Sequence, residues 1–233
     1  PVPGAAEAIG DAERGATLES TTLLDVRTTV LAARDLRRTL ARQEERYPRL
    51  ADHAYRLAEC PGLADAIGST LDERGEVLDS ASPKLARLRT EIRVAYNRLM
   101  QKQETLVTQR SGRYVVPIKA EFKGRIPGIV HDRSSSGATL FIEPMATVGL
   151  NNEYRELQLA EQEEVRRILA ELSDKVGSFM AELTELVNAL GDLDLAFAKA
   201  KYAMALRANR PAFLPWASPR QITTEQGQTA IHP

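Results

Sequence analysis

Six basic side chains and two serines within one short stretch of the sequence have the chemistry to bind phosphate. They are Arg113, Lys119, Lys123, Arg125, His131, Arg133, Ser134 and Ser135. Cationic groups attract a polyanion by releasing its counterions, and hydroxyl or backbone N–H groups can hydrogen-bond to phosphate oxygens. The stretch is therefore a candidate contact site for a nucleic-acid backbone.

These residues belong to a wider separation of charge, although the formal net charge of the chain is only −1. Residues 84–133 contain twelve Lys and Arg against four Asp and Glu, a net +8, whereas residues 143–194 reverse this to a net −8. The basic residues from Lys84 to Lys102 can pair with the acidic segment across two packed helices. The basic residues beyond Arg110 lie outside the reach of that partner. There we expect phosphate contact, and a solvated turn surface is the alternative.

The serine turn and His131 each allow two interpretations. The run Ser134-Ser135-Ser136-Gly137 could hold a phosphate beside Arg133, but the same residues also make a flexible hairpin connection that needs no ligand. His131 lies between Val130 and Asp132 and is a candidate for phosphate or base contact. A lone histidine is more often a surface or packed residue.

The sequence offers no recognisable catalytic or metal-binding motif. It has no phosphate loop, no nucleophile elbow and no H-E-x-x-H pair, and His53, His131 and His232 are far apart. The single cysteine, Cys60, excludes an internal disulfide and has no cationic neighbours in its segment. We expect neither a catalytic residue nor a metal or cofactor in this part of the protein.

The candidate phosphate site lies on the only segment that has the period-two pattern of β-structure. Tyr114, Val116, Ile118 and Ala120 should point one way and Val115, Pro117, Lys119 and Glu121 the other. Pro117 lacks a ladder donor, so this strand should lie at an edge. Turn residues separate it from strands at 128–132 and 138–142. We expect a three-stranded antiparallel meander over 113–144. So small a sheet must dock on neighbouring helices to be stable.

Two long helices should flank this sheet. Apolar residues recur every three or four positions from Leu85 to Leu106, and a heptad seam runs from Val165 to Phe197. The second pattern predicts one helix from about Asn151 to about Arg207, roughly 85 Å long. Shorter helices are predicted at 18–46, 48–59 and 62–71, and Ser80 or Ser82 should cap the arm that begins at Pro83. The fold class is mainly α: a helical core and lever bundle with a long antiparallel, coiled-coil-like helical hairpin that carries a small antiparallel β tip.

Composition favours a soluble helical protein. The chain has 233 residues, of which 43% are hydrophobic and 5% aromatic, and it contains neither an 18-residue apolar run nor a signal-peptide pattern. A cytoplasmic location fits the single cysteine. The chain begins with Pro-Val-Pro and ends with Ala-Ile-His-Pro. We therefore expect it to be part of a larger protein.

Several motifs in a fixed order resemble the middle region of the bacterial MutS-two family, which are MutS paralogues that act outside mismatch repair. They are DSASPKL at 79–85, RYVVPIK at 113–119, PGIVHDRSSSGATLFIEP at 127–144 and LNNE at 150–153. The resemblance covers nearly the whole chain. It implies a core and lever built from the N-terminal helices and residues 165–207, and a clamp that contains the β tip.

The resemblance also implies activities that would belong to other parts of the protein. Family members continue into a dimeric ATPase that binds ATP with Mg²⁺ and often into an Smr nuclease, and they are described as binding branched DNA, suppressing recombination and acting on collided ribosomes. We expect core and lever at 1–92, clamp at 93–165, lever at 166–210 and a linker at 211–233. The expected role is a non-catalytic clamp that grips nucleic-acid backbone, DNA or ribosomal RNA, without reading sequence. The alternative is a structural coiled-coil module that contacts other proteins.

Overall fold

The computed structural model describes residues 10–12, 14–102 and 107–208, together with the backbone of 222–223 and 229–230. It is mostly helical with a small antiparallel sheet. The helices are α1 (Ser20–Ala41), α2 (Pro48–Tyr55), α3 (Leu63–Thr70), α4 (Pro83–Lys102), α5 (Met145–Gly177) and α6 (Met180–Ala205). The strands are β1 (Thr108–Arg110), β2 (Arg113–Lys119), β3 (Gly128–Arg133), β4 (Thr139–Pro144), β5 (Ile222–Thr223) and β6 (Thr229–Ala230).

The chain divides into two units, Pro1–Leu193 and Asp194–Pro233. The second unit contains the end of α6 and the antiparallel pair β5–β6. The predicted linker at 211–233 lies outside the described residues except for that short pair, as does Leu106 of the predicted apolar stripe. The predicted boundaries of core, lever and clamp stay predictions. Within the described ranges, no helix is long and apolar enough to cross a membrane.

The core of the first unit forms where the apolar faces of several helices meet. Leu23 of α1, Ile67 of α3, Leu85 of α4 and Val176 of α5 are fully buried in one cluster. A second cluster joins α1 to the beginning of α6, with Ala33, Leu57 and Leu186 at its centre. Burial of such side chains removes apolar surface from water and stabilises the packing of otherwise marginal helices.

The N-terminal helices agree with the predicted ones apart from their ends, which are shorter in the structure. The turn after α3 contains a single antiparallel bridge between Leu71 and Val77. The capping prediction is confirmed for Ser82, whose Oγ accepts hydrogen bonds from the backbone N–H of Lys84 at 3.2 Å and of Leu85 at 3.4 Å. Pro83 is the first residue of α4.

The prediction of one helix from about Asn151 to about Arg207 is wrong. The structure has two helices, which begin at Met145 and Met180, with a turn at Ser178 and Phe179. The Ser178 hydroxyl donates a hydrogen bond to the carbonyl of Lys175. Such local bonding competes with helix propagation. The helix that begins at Met145 is nevertheless the longest described, at 33 residues.

Helices α4 and α5 pack against each other in opposite directions. Lys84 pairs with Glu164 at 3.0 Å, Arg89 with Glu161 at 2.7 Å and Arg98 with Glu153 at 3.6 Å. Partner numbers fall along α5 as they rise along α4, so the helices are antiparallel. The predicted cross-helix pairing of the basic and acidic segments is confirmed at these positions.

Glu164 is the most constrained of these partners because its side chain is 1% exposed. It accepts hydrogen bonds from Arg167 Nη2 at 2.7 Å and Ser82 Oγ at 2.8 Å, in addition to the ion pair with Lys84. The bonds from Arg167, then Lys84, then Ser82 lower the pKa of Glu164 to about 2. One carboxylate thus joins the beginning of α4 to the middle of α5.

The β-segment is confirmed, but the predicted meander is wrong. The sheet order is β1-β2-β4-β3, so β4 lies between β2 and β3, and β1 was not predicted. The β3–β4 turn is a short hairpin, whereas residues 120–127 carry the chain from the far end of β2 past β4 to begin β3. The sequence predicted that β2 lies at an edge of the sheet because of Pro117. The strand lies between β1 and β4, but β1 pairs only with residues 113–115, so at Pro117 one side of β2 is unpaired.

Gly128 begins β3 where the backbone of β4 passes very close. A Cβ added here would lie 2.6 Å from Ile142 Cγ2 and even closer to the carbonyl oxygen of Glu143. Since that oxygen belongs to the paired backbone, it cannot move without distorting the sheet. The position therefore requires glycine.

The buried carboxylate of Glu164 should make the fold acid-sensitive. Because its pKa in the folded chain is below the ordinary value of 4.5, its ionisation stabilises the fold above about pH 4.5, and this contribution is lost as the pH falls toward 2. Glu164→Gln should lower the free energy of unfolding at pH 7, and the difference from the parent should shrink between pH 5 and about pH 3. Urea denaturation across this range measures both.

The matched control is Glu163→Gln, because Glu163 is the neighbouring acid on the same helix and its side chain is 70% exposed. That change should alter stability by no more than about 0.5 kcal/mol. Equal effects of the two substitutions at pH 7 would contradict the role assigned to Glu164.

Gly128→Ala should destabilise the sheet by about 1–3 kcal/mol, because the added methyl group collides with backbone. Hydrogen exchange of residues 113–144 and chemical denaturation measure the effect. Gly124→Ala is the control, since a Cβ there has no atom within 4 Å. Equal protection in the two variants would show that β3 and β4 are not as close as the structure has them.

Candidate nucleic-acid interface

Asn151 on α5 attaches one end of the sheet to the helices. Its side-chain amide donates a hydrogen bond to the carbonyl of Tyr114 at 3.1 Å and accepts one from the backbone N–H of Tyr114 at 3.0 Å. The side chain is almost fully buried, at 2% residue exposure. It therefore satisfies both backbone groups of a residue near the start of β2, as a neighbouring strand would.

Three tyrosines pack together at this attachment. The ring of Tyr114 of β2 meets Tyr96 of α4 and Tyr154 of α5 edge to face, with centroids 5.6 and 5.5 Å away, and those two rings lie 6.2 Å from each other. Burial, followed by a hydrogen bond with Tyr154, raises the pKa of Tyr114 to about 12. The cluster joins both helices to the sheet and confirms that the sheet docks on them.

Glu143 of β4 lies at the centre of a polar network beside the tyrosines. Its side chain is fully buried, and Arg113 Nη1 donates to its two oxygens at 2.8 and 3.1 Å. His131 Nε2 lies 2.6 Å from Oε2. Arg113 also donates to Asn152 Oδ1 at 2.8 Å, which connects the network to α5.

A β-bulge brings His131 into this network. Val130 pairs with Ile142 and Asp132 pairs with Phe141, so His131 is an extra residue in β3 without an opposite partner. Bulges commonly redirect a side chain in this way. The side chain of His131 is only 20% exposed.

The other end of the sheet points away from this attachment. Lys119, at the end of β2, is six residues from Arg113, which is about 20 Å along a strand. It pairs with Thr139 at the start of β4, and Arg133 pairs with Leu140 at the end of β3. The turn at 120–125 and the hairpin at 134–138 meet here, since the N–H of Ala120 donates to the carbonyl of Ala138 at 2.9 Å. We call this region the distal end.

Four of the predicted contact residues, Lys119, Lys123, Arg125 and Arg133, are exposed. Lys119 and Arg133 lie at the distal end, whereas Lys123 and Arg125 lie on the connection that begins there and runs back to Pro127, whose carbonyl accepts the N–H of Met145 at 3.0 Å. Within the described part of the chain, none of the four forms an ion pair with an acidic side chain. Arg125 lies over the ring of Phe122, 4.8 Å from its centroid. Arg110 differs from these four, because it pairs with Asp132 at 3.4 Å and covers Phe141.

The serine turn is held by its own hydrogen bonds. Ser134 Oγ accepts the N–H of Thr139 at 3.0 Å, and the N–H of Gly137 donates to the carbonyl of Ser134 at 2.8 Å. Gly137 has a φ of +70°, which glycine adopts readily. Ser135 is exposed. The hairpin interpretation accounts for Ser134 without a ligand.

The predicted site residues therefore fall into two groups in the structure. Lys119, Lys123, Arg125 and Arg133 are exposed cations, whereas Arg113 and His131 are engaged with Glu143. Sequence reasoning missed Glu143 and Asn151 as the residues that orient the sheet. The alternation of β4 places the side chains of Glu143 and Ile142 on opposite faces of the sheet. Only the three-dimensional structure shows that the face of Glu143 is also buried there.

In the described residues, no three His, Cys, Asp or Glu side chains are grouped to hold a metal ion. Cys60 is buried, and burial raises the pKa of its thiol to about 11, so the nucleophilic thiolate is disfavoured.

Comparison with curated proteins finds relatives named Endonuclease MutS2. The chain is 41% identical over 217 residues to the protein of Geobacillus sp. (strain WCH70), which covers 86% of this chain and 28% of that protein. It is 40% identical over 223 residues to that of Thermomicrobium roseum, covering 89% and 28%. It is 42% identical over 214 residues to that of Pelotomaculum thermopropionicum, covering 86% and 27%. No protein-family model matches the chain.

The two groups of cations should differ in their effect on stability. Arg113→Met leaves the fully buried Glu143 with His131 as its remaining partner, and should cost about 3 kcal/mol or more in the free energy of unfolding. Arg125→Met removes an exposed arginine and should cost no more than about 0.5 kcal/mol. Chemical denaturation, with hydrogen exchange of residues 113–144, measures both. A small effect of both substitutions would mean that Arg113 does not support the sheet.

Proposed function

Because this chain belongs to the MutS2 family, of whose curated members it spans 27–28% of the length, we propose that the distal end of its sheet grips nucleic-acid backbone. The grip is non-catalytic and independent of sequence. Lys119, Lys123, Arg125 and Arg133 contact phosphates, and Ser135 is placed beside them in the hairpin. Helices α4 and α5 act as the arms of a clamp.

The uncompensated charge of the distal end is the observation that supports this proposal. Three of the cations along α4, Lys84, Arg89 and Arg98, have acidic partners on α5, so their charge is partly balanced. The four distal cations have no such partners among the described residues. Lysine and arginine that are free of internal ion pairs release counterions from a polyanion at the lowest cost, and phosphate contacts carry no sequence information.

The attachment of the sheet supports a gripping role. Asn151, the tyrosine cluster and the Glu143 network hold the near end of the sheet on two helices. A contact on the distal end therefore acts on α4 and α5 directly. In this proposal Arg113 and His131 maintain the geometry of the sheet, and the exposed residues contact the ligand.

For the whole protein we propose the wider activity of the family. Other parts of the protein would bind ATP with Mg²⁺, hydrolyse it and dimerise, and the names of the relatives include an endonuclease. The paired clamps of a dimer would close on branched DNA during suppression of recombination, or on ribosomal RNA of a stalled ribosome.

A structural module that contacts proteins is the second candidate function. The observation that favours it is the group of large apolar side chains exposed on and just after the second half of α6. Leu195, Tyr202, Met204 and Leu206 are 53–79% exposed. Apolar groups exposed in this number commonly mark a protein contact. These residues belong to the second unit of the chain and the four cations to the first, so separate substitutions test the two functions.

Fluorescence anisotropy with a labelled DNA duplex tests the grip. The 233-residue chain should bind with steep salt dependence between about 50 and about 200 mM, and replacement of Lys119, Lys123, Arg125 and Arg133 by Gln should lower the slope of log K against log salt by about 3 to 4. The control changes four exposed arginines elsewhere in the first unit, Arg42, Arg46, Arg49 and Arg74, to Gln. It has the same net charge.

The control variant should bind almost as the parent does. If both variants lose the same affinity and slope, binding reflects overall charge and the distal end is not the site. Binding that does not change with salt would favour the protein-contact module. A four-way junction and a structured RNA, used as competitors, rank the natural ligands.

A further inference from the structure

An aromatic side chain is exposed in the middle of the distal cations. Phe122 is 37% exposed, and it ends the short 3₁₀ turn Ala120–Phe122 between β2 and β3. It belongs to neither of the two hydrophobic clusters among the described residues. A phenylalanine that keeps more than a third of its surface exposed gains only part of the free energy of burial and has aromatic surface available for contact.

The backbone of the turn fixes the position of this ring. The N–H of Lys123 donates to the carbonyl of Ala120 at 3.2 Å, and the N–H of Arg125 donates to the carbonyl of Phe122 at 2.9 Å. The N–H of Ala120 is bonded in turn to the hairpin that precedes β4. These bonds present the ring at the surface of a turn that is tied to the sheet.

The guanidinium of Arg125 lies over the ring of Phe122, 4.8 Å from its centroid. Such a pair presents a planar cation supported by an aromatic face, on which a third flat group can stack. Lys119 and Lys123 are exposed within three residues of the ring. Glu121 is the only acid between Lys119 and Arg125.

We propose that Phe122 and Arg125 form a stacking platform for one unpaired nucleobase, while Lys119 and Lys123 bind the phosphates on either side of it. This subsite rests on the proposed grip and adds a chemical preference to it. Phosphates are present on any nucleic acid, but the flat face of a base is accessible only where the base has left the helix. The platform therefore adds affinity for single-stranded nucleotides that it does not add for intact duplex.

The size of the preference follows from the chemistry of the stack. Aromatic stacking of one base changes affinity by about 5- to 100-fold and tolerates any base, because every base has a π face. The phosphate contacts contribute to both ligands, more strongly to the duplex because of its higher charge density, and they do not involve the ring. Removal of the ring should therefore weaken single-strand binding selectively.

Anisotropy titrations with a mixed-sequence DNA single strand and the blunt duplex of the same sequence test this inference. Phe122→Leu keeps an apolar side chain in the turn but has no π face, and it should weaken single-strand binding about 5- to 100-fold while duplex binding changes less than about twofold. Phe122→Tyr retains the π face and should bind both ligands as the parent does. Quenching of a 2-aminopurine in the single strand should accompany binding by the parent and be lost in Phe122→Leu.

The outcomes separate this inference from the proposed grip. Salt-sensitive binding of both ligands by the parent that Phe122→Leu leaves unchanged, or weakens equally, overturns the stacking platform and leaves the phosphate grip intact. Equal weakening would show that Phe122 only holds the turn. No salt-sensitive binding of either ligand by the parent overturns both.

Discussion

The burial of Glu143 is the constraint on which the geometry of the sheet depends. A carboxylate that is fully removed from water needs cationic or hydrogen-bonding partners, because burying a charge alone is very costly. Arg113 supplies one partner from β2 and His131 supplies the other from β3, so β4 is joined to both of its neighbours through one side chain. Only the strand order β2-β4-β3 lets one residue of β4 reach both. The same order requires the long connection at 120–127 that carries Lys123, Arg125 and Phe122.

A second buried carboxylate does the same for the helices. Glu164 accepts hydrogen bonds from Ser82, just before α4, and from Arg167 of its own helix, and it forms an ion pair with Lys84 at the start of α4. Since β4 runs directly into α5, the two carboxylates lie on one continuous stretch of chain, 21 positions apart in the numbering. Buried ion pairs add little net stability compared with apolar packing, but a wrong alignment would leave a charge unpaired. The two glutamates therefore specify how the sheet and α4 align on this stretch of chain more than they strengthen the fold.

Local pattern predicted the elements of this fold better than their arrangement. Period-two alternation identified β2, turn residues marked the limits of β3 and β4, and the charges between Lys84 and Lys102 identified the partner helix. These patterns could not predict the order of the strands in the sheet. The sequence of a strand shows which of its faces is apolar, but it does not show which strand lies next to it. The heptad seam failed for a related reason. Val176, Phe179 and Leu183 keep the three-and-four spacing through the turn at Ser178, so the periodicity contains no sign that the helix ends.

The division of the basic residues into ion-paired and unpaired groups follows from the order in which the strands pair. Sequence could show that cations outnumber acids between residues 84 and 133, but it could not show which acids they would meet. Folding brings Arg113 to Glu143, thirty residues away, and Arg110 to Asp132, whereas Lys119, Lys123 and Arg133 meet no acid among the described residues. A cation that is already paired must break that pair before it binds phosphate, and its net gain is correspondingly small. Among the cations of the sheet and its connections, Lys119, Lys123, Arg125 and Arg133 are therefore the ones whose charge the fold leaves without an acidic partner in the described residues.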